Sequence, residues 1–170
     1  MELNNKNFMD FVEALNKNLV EYCIVGAYAV GYHAKPRDTG VIDFIIRNTK
    51  ENAGKVLKAI TDFGFGSVVE KLKIDDLTVR DTIIQLGYEP NRIDVHTSIA
   101  GVDFDDAWKN KNTGKLGVIK AYFIGINELL KSKKASVKQR ENNEKYYKDM
   151  HDIEALKRVM SMKRRRGLKR

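Results

Sequence analysis

The sequence predicts an α/β fold in which a mixed sheet of about four or five strands packs against helices. Short apolar runs typical of buried strands alternate along the chain with amphipathic helical segments. The chain has 170 residues, 42% hydrophobic and 32% charged, a composition typical of one globular domain with a proper core. It contains no internal repeat or low-complexity segment. We therefore expect a single domain over residues 1–160, followed by a basic, flexible tail over 161–170.

The first half of the chain predicts three helices and two strands. Apolar residues recur at helical spacing after Asn5, a short β-favouring run ends at Gly26, and Pro36 closes the helix that follows. Asn48-Thr49 and Gly64 are the cap and the stop signal of the third helix. The predicted elements are, in order, helix 6–19, strand 22–25, helix 27–33, strand 41–46 and a helix that ends at Gly64.

The second half predicts a pair of strands, then a further strand between helices. Tyr88-Glu89-Pro90-Asn91 favours a turn between two apolar runs. Asn112-Thr113-Gly114 is a second turn signal, and residues 65–77 are interpreted as a short helix or loop. The predicted elements are strand 82–87, strand 92–97, helix 102–110, strand 118–124, helix 126–135 and helix 144–160.

Two of the predicted strands each contain one carboxylate inside an apolar run. Asp43 interrupts the first of these strands and Asp94 interrupts the second. A carboxylate in a buried strand is costly unless a cation or a metal ion pairs with it. Either residue alone is better explained by a structural role in which it pairs with a nearby arginine. Their joint occurrence makes both of them candidate site residues.

Two stretches of the chain form longer patterns. The first reads Ile24-Val25-Gly26-Ala27-Tyr28-Ala29-Val30 and continues as Pro36-Arg37-Asp38-Thr39-Gly40-Val41-Ile42-Asp43, and the second reads Asn91-Arg92-Ile93-Asp94-Val95-His96-Thr97. Together they resemble the polymerase-beta-like nucleotidyltransferase superfamily, in particular its small bacterial and phage proteins of the toxin–antitoxin type. The resemblance extends from about Phe8 to Leu156. It implies the nucleotidyltransferase fold and the transfer of a nucleotidyl group from an NTP to a hydroxyl acceptor, RNA or protein, with magnesium.

The resemblance also implies four nucleotide-binding residues. Gly26 and Ala27 would form the turn that holds the triphosphate, where backbone N–H groups approach phosphate at a helix N-terminus. Arg37 and Lys133 would be charge partners of the triphosphate. Arg37 is also consistent with simple pairing to one of the strand aspartates, and Lys133 with a solvated helix face. The pattern Lys148-Asp149 with Asp152 resembles the family's K-D-x-x-D, which orients the last helix against the lysine-bearing helix.

For the metal site, the resemblance implies that Asp43 and Asp94 are catalytic residues that bind magnesium. Asp43 matches the second aspartate of the family's D-x-D, and Val41 stands at the first. Two metal ions about 3.5–4 Å apart need bridging carboxylates, and valine offers magnesium no oxygen ligand. The nucleotidyltransferase fold is therefore compatible with this sequence, whereas Val41 puts the nucleotidyl-transfer activity of the protein in question. Because aspartate and valine codons differ by one base, a natural loss and an introduced substitution are equally compatible with Val41.

Two other hypotheses stay open. In the first, the same cleft holds a nucleotide without turning it over, or the protein neutralises a toxin as its partner. In the second, the basic segment from Lys163 to Arg170 binds RNA or DNA without sequence specificity, through release of counterions. The net charge is +8, and residues 157–170 contain eight Lys or Arg and no acidic residue. No aromatic residue interleaves this run, so base stacking is not indicated.

The remaining signals concern location and the histidines. No apolar run approaches the length of a membrane span, and the N-terminus lacks a signal-peptide pattern, so no membrane partner is expected. The single cysteine, Cys23, favours a buried position and a reducing, cytoplasmic setting. His33 and His96 have no Cys or His companion at zinc spacing, so neither is predicted to bind metal. His96 would share a strand face with Asp94, which leaves it an indirect role.

Overall fold

The structure is a computed structural model that describes residues 5–140 and 143–167. Within these ranges the chain forms one mixed sheet with helices against it. The elements are α1 Lys6–Lys17, β1 Tyr22–Val25, α2 Gly26–His33, β2 Val41–Ile46, α3 Lys50–Ile60, α4 Gly66–Val69, β3 Ile83–Leu86, β4 Arg92–His96, α5 Phe104–Lys109, β5 Asn112–Leu116, β6 Ile119–Phe123, α6 Ile126–Lys138 and α7 Glu144–Gly167.

The sheet has six strands in the order β3-β4-β2-β1-β6-β5. Strand β1 runs antiparallel to β2 and parallel to β6, and β2 runs parallel to β4. The predicted α/β class with a mixed sheet is therefore confirmed, with more strands than expected. The additional strand is β5, whose Asn112-Thr113-Gly114 we interpreted as a turn. Only Leu116 of this polar edge strand is buried, so it lacks the alternating apolar pattern by which strands are recognised.

The core lies on both faces of the sheet because helices cover both. Tyr22 and Ile24 of β1 face one apolar cluster, which includes Phe8 and Phe11 of α1. The intervening Cys23 and Val25 face a second apolar cluster, which includes residues of α2, α5, α6 and α7. Burial on both faces explains why the central strands read as continuous apolar runs rather than as alternating ones. Among the described residues, no helix is both long and apolar enough to cross a membrane.

Local signals placed most helix starts correctly and some helix ends less well. Asn5 caps α1, with its side chain accepting a hydrogen bond from the backbone N–H of Phe8 at 3.2 Å. Helix α3 ends at Ile60, and a single π-helical turn over Thr61–Phe65 follows. Gly64 lies inside that turn with a φ of 105°, a conformation that favours glycine. The predicted stop signal is thus the residue at which the chain leaves the helical path.

Helix α7 is longer than the sequence predicts. It was expected to end near Met160, but it continues to Gly167. The apolar periodicity ends at Met160, whereas the residues that follow are mostly Lys, Arg and Met, which are good helix formers. The first part of the predicted basic tail is therefore helical and exposed, and residues 168–170 lie outside the described residues.

Candidate functional site

An open cleft with a volume of 1410 Å³ lies where the β1–α2 turn meets β2, β4, α6 and α7. Its lining includes all six of the predicted site residues, Gly26, Ala27, Arg37, Asp43, Asp94 and Lys133. Val41 also lines it. The structure thus brings together, from separate elements, the residues that the sequence singles out.

Two carboxylates lie side by side at the floor of the cleft. Strands β2 and β4 pair in parallel with Asp43 opposite Asp94. Asp94 is almost completely buried, and Arg92 binds it with two hydrogen bonds, Nε to Oδ1 at 3.0 Å and Nη2 to Oδ2 at 3.1 Å. Because side chains alternate along a strand, Val41 faces the same side as Asp43. A valine therefore occupies the position from which a further carboxylate would face the pair.

His96 lies closer to the carboxylate pair than its expected indirect role requires. Its Nε2 lies 3.1 Å from Oδ1 of Asp43. One ligand atom each of Asp43, Asp94 and His96 lies within 4.8 Å of the others. The spacing Asp94-x-His96 on a strand was the available signal, since residues two apart share a face. His33 lies elsewhere, with its Nε2 2.6 Å from the backbone oxygen of Ile124.

The β1–α2 turn approaches one of these carboxylates, that of Asp43, through Gly26. Gly26 has a φ of 62°, and a Cβ built on it would lie 2.4 Å from Oδ2 of Asp43. Helix α2 begins at Gly26, and within residues 5–140 and 143–167 no side chain caps its N-terminus. The backbone N–H groups of the first turn of α2 are thus the natural anion-binding groups beside the carboxylates.

We expect Gly26→Ala to destabilise the protein by about 1–3 kcal/mol and to weaken any ligand binding in the cleft. An alanine backbone at position 26 would be strained by the positive φ, and its methyl group would displace the Asp43 carboxylate. Urea unfolding measures the loss. Gly54→Ala is the matched control, because nothing lies within 4 Å of its Cβ, and it should stabilise α3 by about 0.5–1 kcal/mol. Equal stabilities for the two variants would contradict this prediction.

Three cationic side chains at one side of the cleft form ion pairs with two aspartates of α7. Arg37 donates from Nε to Oδ1 of Asp152 at 2.9 Å and from Nη2 to Oδ2 at 3.2 Å. Lys133 lies 2.6 Å from Oδ1 of Asp149 and 2.9 Å from Oδ2 of Asp152. Arg140 also pairs with Asp149. Three cations thus share two carboxylates, and the cluster keeps a net positive charge.

These contacts correct the structural alternative that the sequence offered for Arg37 and for Lys133. Arg37 pairs with Asp152, so the alternative in which it pairs with Asp43 or Asp94 is wrong. The physical reason is the packing of α7 beside the Pro-Arg loop, which brings together residues 115 positions apart. The Lys133 side chain is only 11% exposed, so it does not lie on a solvated helix face. The contacts of Lys133 do agree with the expected role of Asp149 and Asp152 in orienting α7 against α6.

Asp152 is the most strongly held acid of this cluster. Burial alone would raise its pKa, but the hydrogen bond from Arg37 and the charge of Lys133 outweigh burial and hold the pKa below its usual range. Asp152 is therefore ionised at neutral pH. An ionised, nearly fully buried carboxylate is stable here because every neighbouring cation helps to neutralise it.

The donor groups of the cleft fit one divalent cation better than two. Asp43, Asp94 and His96 offer two carboxylates and an imidazole. Val41 supplies no donor, and both oxygens of Asp94 already accept from Arg92. A pair of magnesium ions bridged by several carboxylates, as the family resemblance implies, does not fit these residues.

Comparisons with known proteins identify the fold. No protein-family model matches the chain, and no curated protein matches it. Among solved structures, the chain is similar to an antigenic nucleotidyltransferase-like protein from Paracoccidioides brasiliensis, with a TM-score of 0.55 and 16% sequence identity, over 88% of this chain and 74% of that one. At this identity the likeness concerns the fold alone. The chain therefore has the fold of a nucleotidyltransferase-like protein.

Proposed function

We propose that this protein binds an NTP in the cleft and is built to transfer its nucleotidyl group to a hydroxyl of RNA or protein, with activity limited by Val41. The observation that carries the proposal is the close approach of Gly26 to Asp43, which lies opposite Asp94 in the β2–β4 pairing. This arrangement sets an anion-binding helix N-terminus beside metal-binding groups. A triphosphate with its divalent cation needs both.

The residues of the cleft divide the work of binding a triphosphate. The backbone N–H groups at Gly26 and Ala27 would donate to phosphate oxygens, and the positive cluster around Arg37 and Lys133 would attract the remaining charge. Asp43, Asp94 and His96 would hold a divalent cation, which neutralises phosphate charge when bound. In the transfer, the acceptor oxygen bonds to the α-phosphorus, the bond to the β-phosphate oxygen breaks, pyrophosphate leaves and the hydroxyl proton passes to a base.

The proposal predicts metal-assisted NTP binding that depends on Asp43. Isothermal titration of ATP, GTP, CTP and UTP into the full chain, with and without magnesium, should show binding of at least one nucleotide. Asp43→Asn should weaken the magnesium-dependent part about tenfold or more, because the amide is neutral and a poorer cation ligand. The matched control is Asp103→Asn, an exposed acid outside the cleft lining, which should bind like the unaltered chain.

The outcome that contradicts the proposal is a chain that binds none of the four nucleotides under either condition. Binding that survives chelation of magnesium and is unchanged by Asp43→Asn would favour a noncatalytic nucleotide-binding protein. The observation that favours a noncatalytic nucleotide-binding protein is the same one that limits nucleotidyl transfer, namely the shortage of metal ligands. Val41 offers no ligand, and both oxygens of Asp94 accept hydrogen bonds from Arg92, which makes them weaker ligands for a metal ion.

A further inference from the structure

The donor atoms of Asp43, Asp94 and His96 lie close enough together to converge on one ion. Adjacent ligands of a six-coordinate ion with bonds of about 2.1 Å lie roughly 3 Å apart. Nε2 of His96 and Oδ1 of Asp43 are 3.1 Å apart. A carboxylate oxygen of Asp94 completes a set in which all three atoms lie within 4.8 Å. Little side-chain movement is needed to bring these atoms around a single cation.

The imidazole of His96 changes which ion the set prefers. Magnesium takes oxygen ligands almost exclusively and gives up water reluctantly, whereas imidazole nitrogen suits first-row transition ions. Two carboxylates and one imidazole form a mixed oxygen and nitrogen set. Ions of the manganese-to-zinc series bind such a set more tightly than magnesium does.

A second ion is disfavoured on the other side of the carboxylates. Val41 faces the cleft there with methyl groups, and its partner across the β2–β4 pairing is Arg92. The guanidinium of Arg92 is bound to Asp94, so its positive charge lies where a second cation would have to share that carboxylate. Repulsion between the Arg92 guanidinium and a second cation bound to the same carboxylate opposes binding of that cation.

Two of the three side chains are partly exposed to solvent, so an ion can reach the set from the cleft. His96 and Asp43 keep 18% and 26% of their side-chain surface exposed, and all three residues line the open cleft. We infer that Asp43, Asp94 and His96 form a site for one first-row divalent transition ion, bound through His96 in preference to magnesium. The inference deepens the proposed function by naming the ion, although loading of the ion needs no nucleotide.

Titration of Mn²⁺ and Mg²⁺ separately into the metal-free full chain tests this inference, with calorimetry for affinity. We expect one Mn²⁺ per chain, bound at least about tenfold more tightly than Mg²⁺. Pulsed electron paramagnetic resonance of the Mn²⁺ complex should show coupling to a directly bound imidazole nitrogen. Because this signal is recorded on the unaltered chain, it does not depend on the folding of any variant.

Variants of the histidines assign the nitrogen. His96→Asn should lower Mn²⁺ affinity about tenfold or more and abolish the nitrogen coupling. His96→Asp provides a third carboxylate and should shift the preference towards Mg²⁺. His151→Asn, at an exposed position of α7 outside the cleft lining, is the matched control and should change neither value.

Equal affinities for Mn²⁺ and Mg²⁺, two Mn²⁺ per chain, or a complex without nitrogen coupling would each overturn the inference. Failure of the inference is distinguishable from failure of the proposed function. Magnesium-dependent NTP binding without Mn²⁺ preference removes the inference alone. A nitrogen-coordinated Mn²⁺ in a chain that binds no NTP removes the proposed function alone.

Discussion

Val41→Asp is expected to raise magnesium-dependent NTP turnover by about 100-fold or more. The new carboxylate would face the cleft beside Asp43 and opposite Arg92, whose charge favours its ionised form. It would offset the positive charge of Arg92 that opposes a second ion and supply the missing oxygen donors for that ion, and charge stabilisation by a metal contributes several kcal/mol to such a transition state. Each tenfold in rate corresponds to about 1.4 kcal/mol, so a 100-fold gain requires about 2.8 kcal/mol, which lies within that contribution.

Release of pyrophosphate from ATP, GTP, CTP and UTP measures this turnover, with water or total RNA as the acceptor and with or without magnesium. Val118→Asp is the matched control, because Val118 is exposed and lies outside the cleft lining. It should leave turnover at the level of the unaltered chain. If Val41→Asp also stays at that level under every condition, the idea of a competent site disabled at one position is wrong. If neither chain binds a nucleotide, the search should turn to protein and nucleic-acid partners.

The largest loss of stability is expected from Asp152→Ala, at about 3–5 kcal/mol. Asp152 is 1% exposed, and it accepts hydrogen bonds or ion pairs from Arg37 and Lys133. Removing it leaves two partly buried cations with too few partners. Urea unfolding at neutral pH measures the change. Glu154→Ala removes an exposed acid of the same helix and should have little effect, so a similar loss in both variants would contradict the prediction.

The lowered pKa of Asp152 also predicts how the stability of the fold changes with pH. Its folded-state pKa lies below the usual range, so its contribution to stability is fully present above the unfolded-state pKa of about 3.9. The contribution is lost as the pH falls through the lower, folded-state pKa. Stability should therefore decline below about pH 4, and Asp152→Asn should show a shallower decline over that range. A decline of equal steepness would show that other carboxylates are responsible.

The parts of the site that the sequence predicts are those with a local signature. Asp43 and Asp94 interrupt apolar strands, and Gly26 sits between a strand and a helix, so each can be recognised from its neighbours alone. Helices and strands with strong apolar periodicity were placed to within a few residues for the same reason. Strand β5 was missed because it is polar and is stabilised by pairing with β6, and its own residues carry no pattern from which this pairing can be predicted.

The parts that the sequence does not predict depend on distant partners. The pairing of Arg37 with Asp152 arises only when α7 packs beside a loop 115 positions earlier in the chain. The contact between His96 and Asp43 requires the parallel register of β2 and β4. Lys133 lies in a lysine-rich helix, and its burial depends on which face α7 covers. No propensity or spacing along the chain carries this information.

The burial of Cys23 makes the chain convenient for site-specific labelling. Burial raises the pKa of this thiol to about 12, so almost none of it is thiolate at neutral pH, and the thiolate is the form that reacts with alkylating reagents. Tyr88 is exposed at the turn that borders the cleft. A cysteine that replaces Tyr88 would therefore react with a labelling reagent much faster than Cys23, the one cysteine among the described residues. A fluorescent probe can be attached there without replacing the native cysteine, and so without disturbing the core strand that leads into the Gly26 turn.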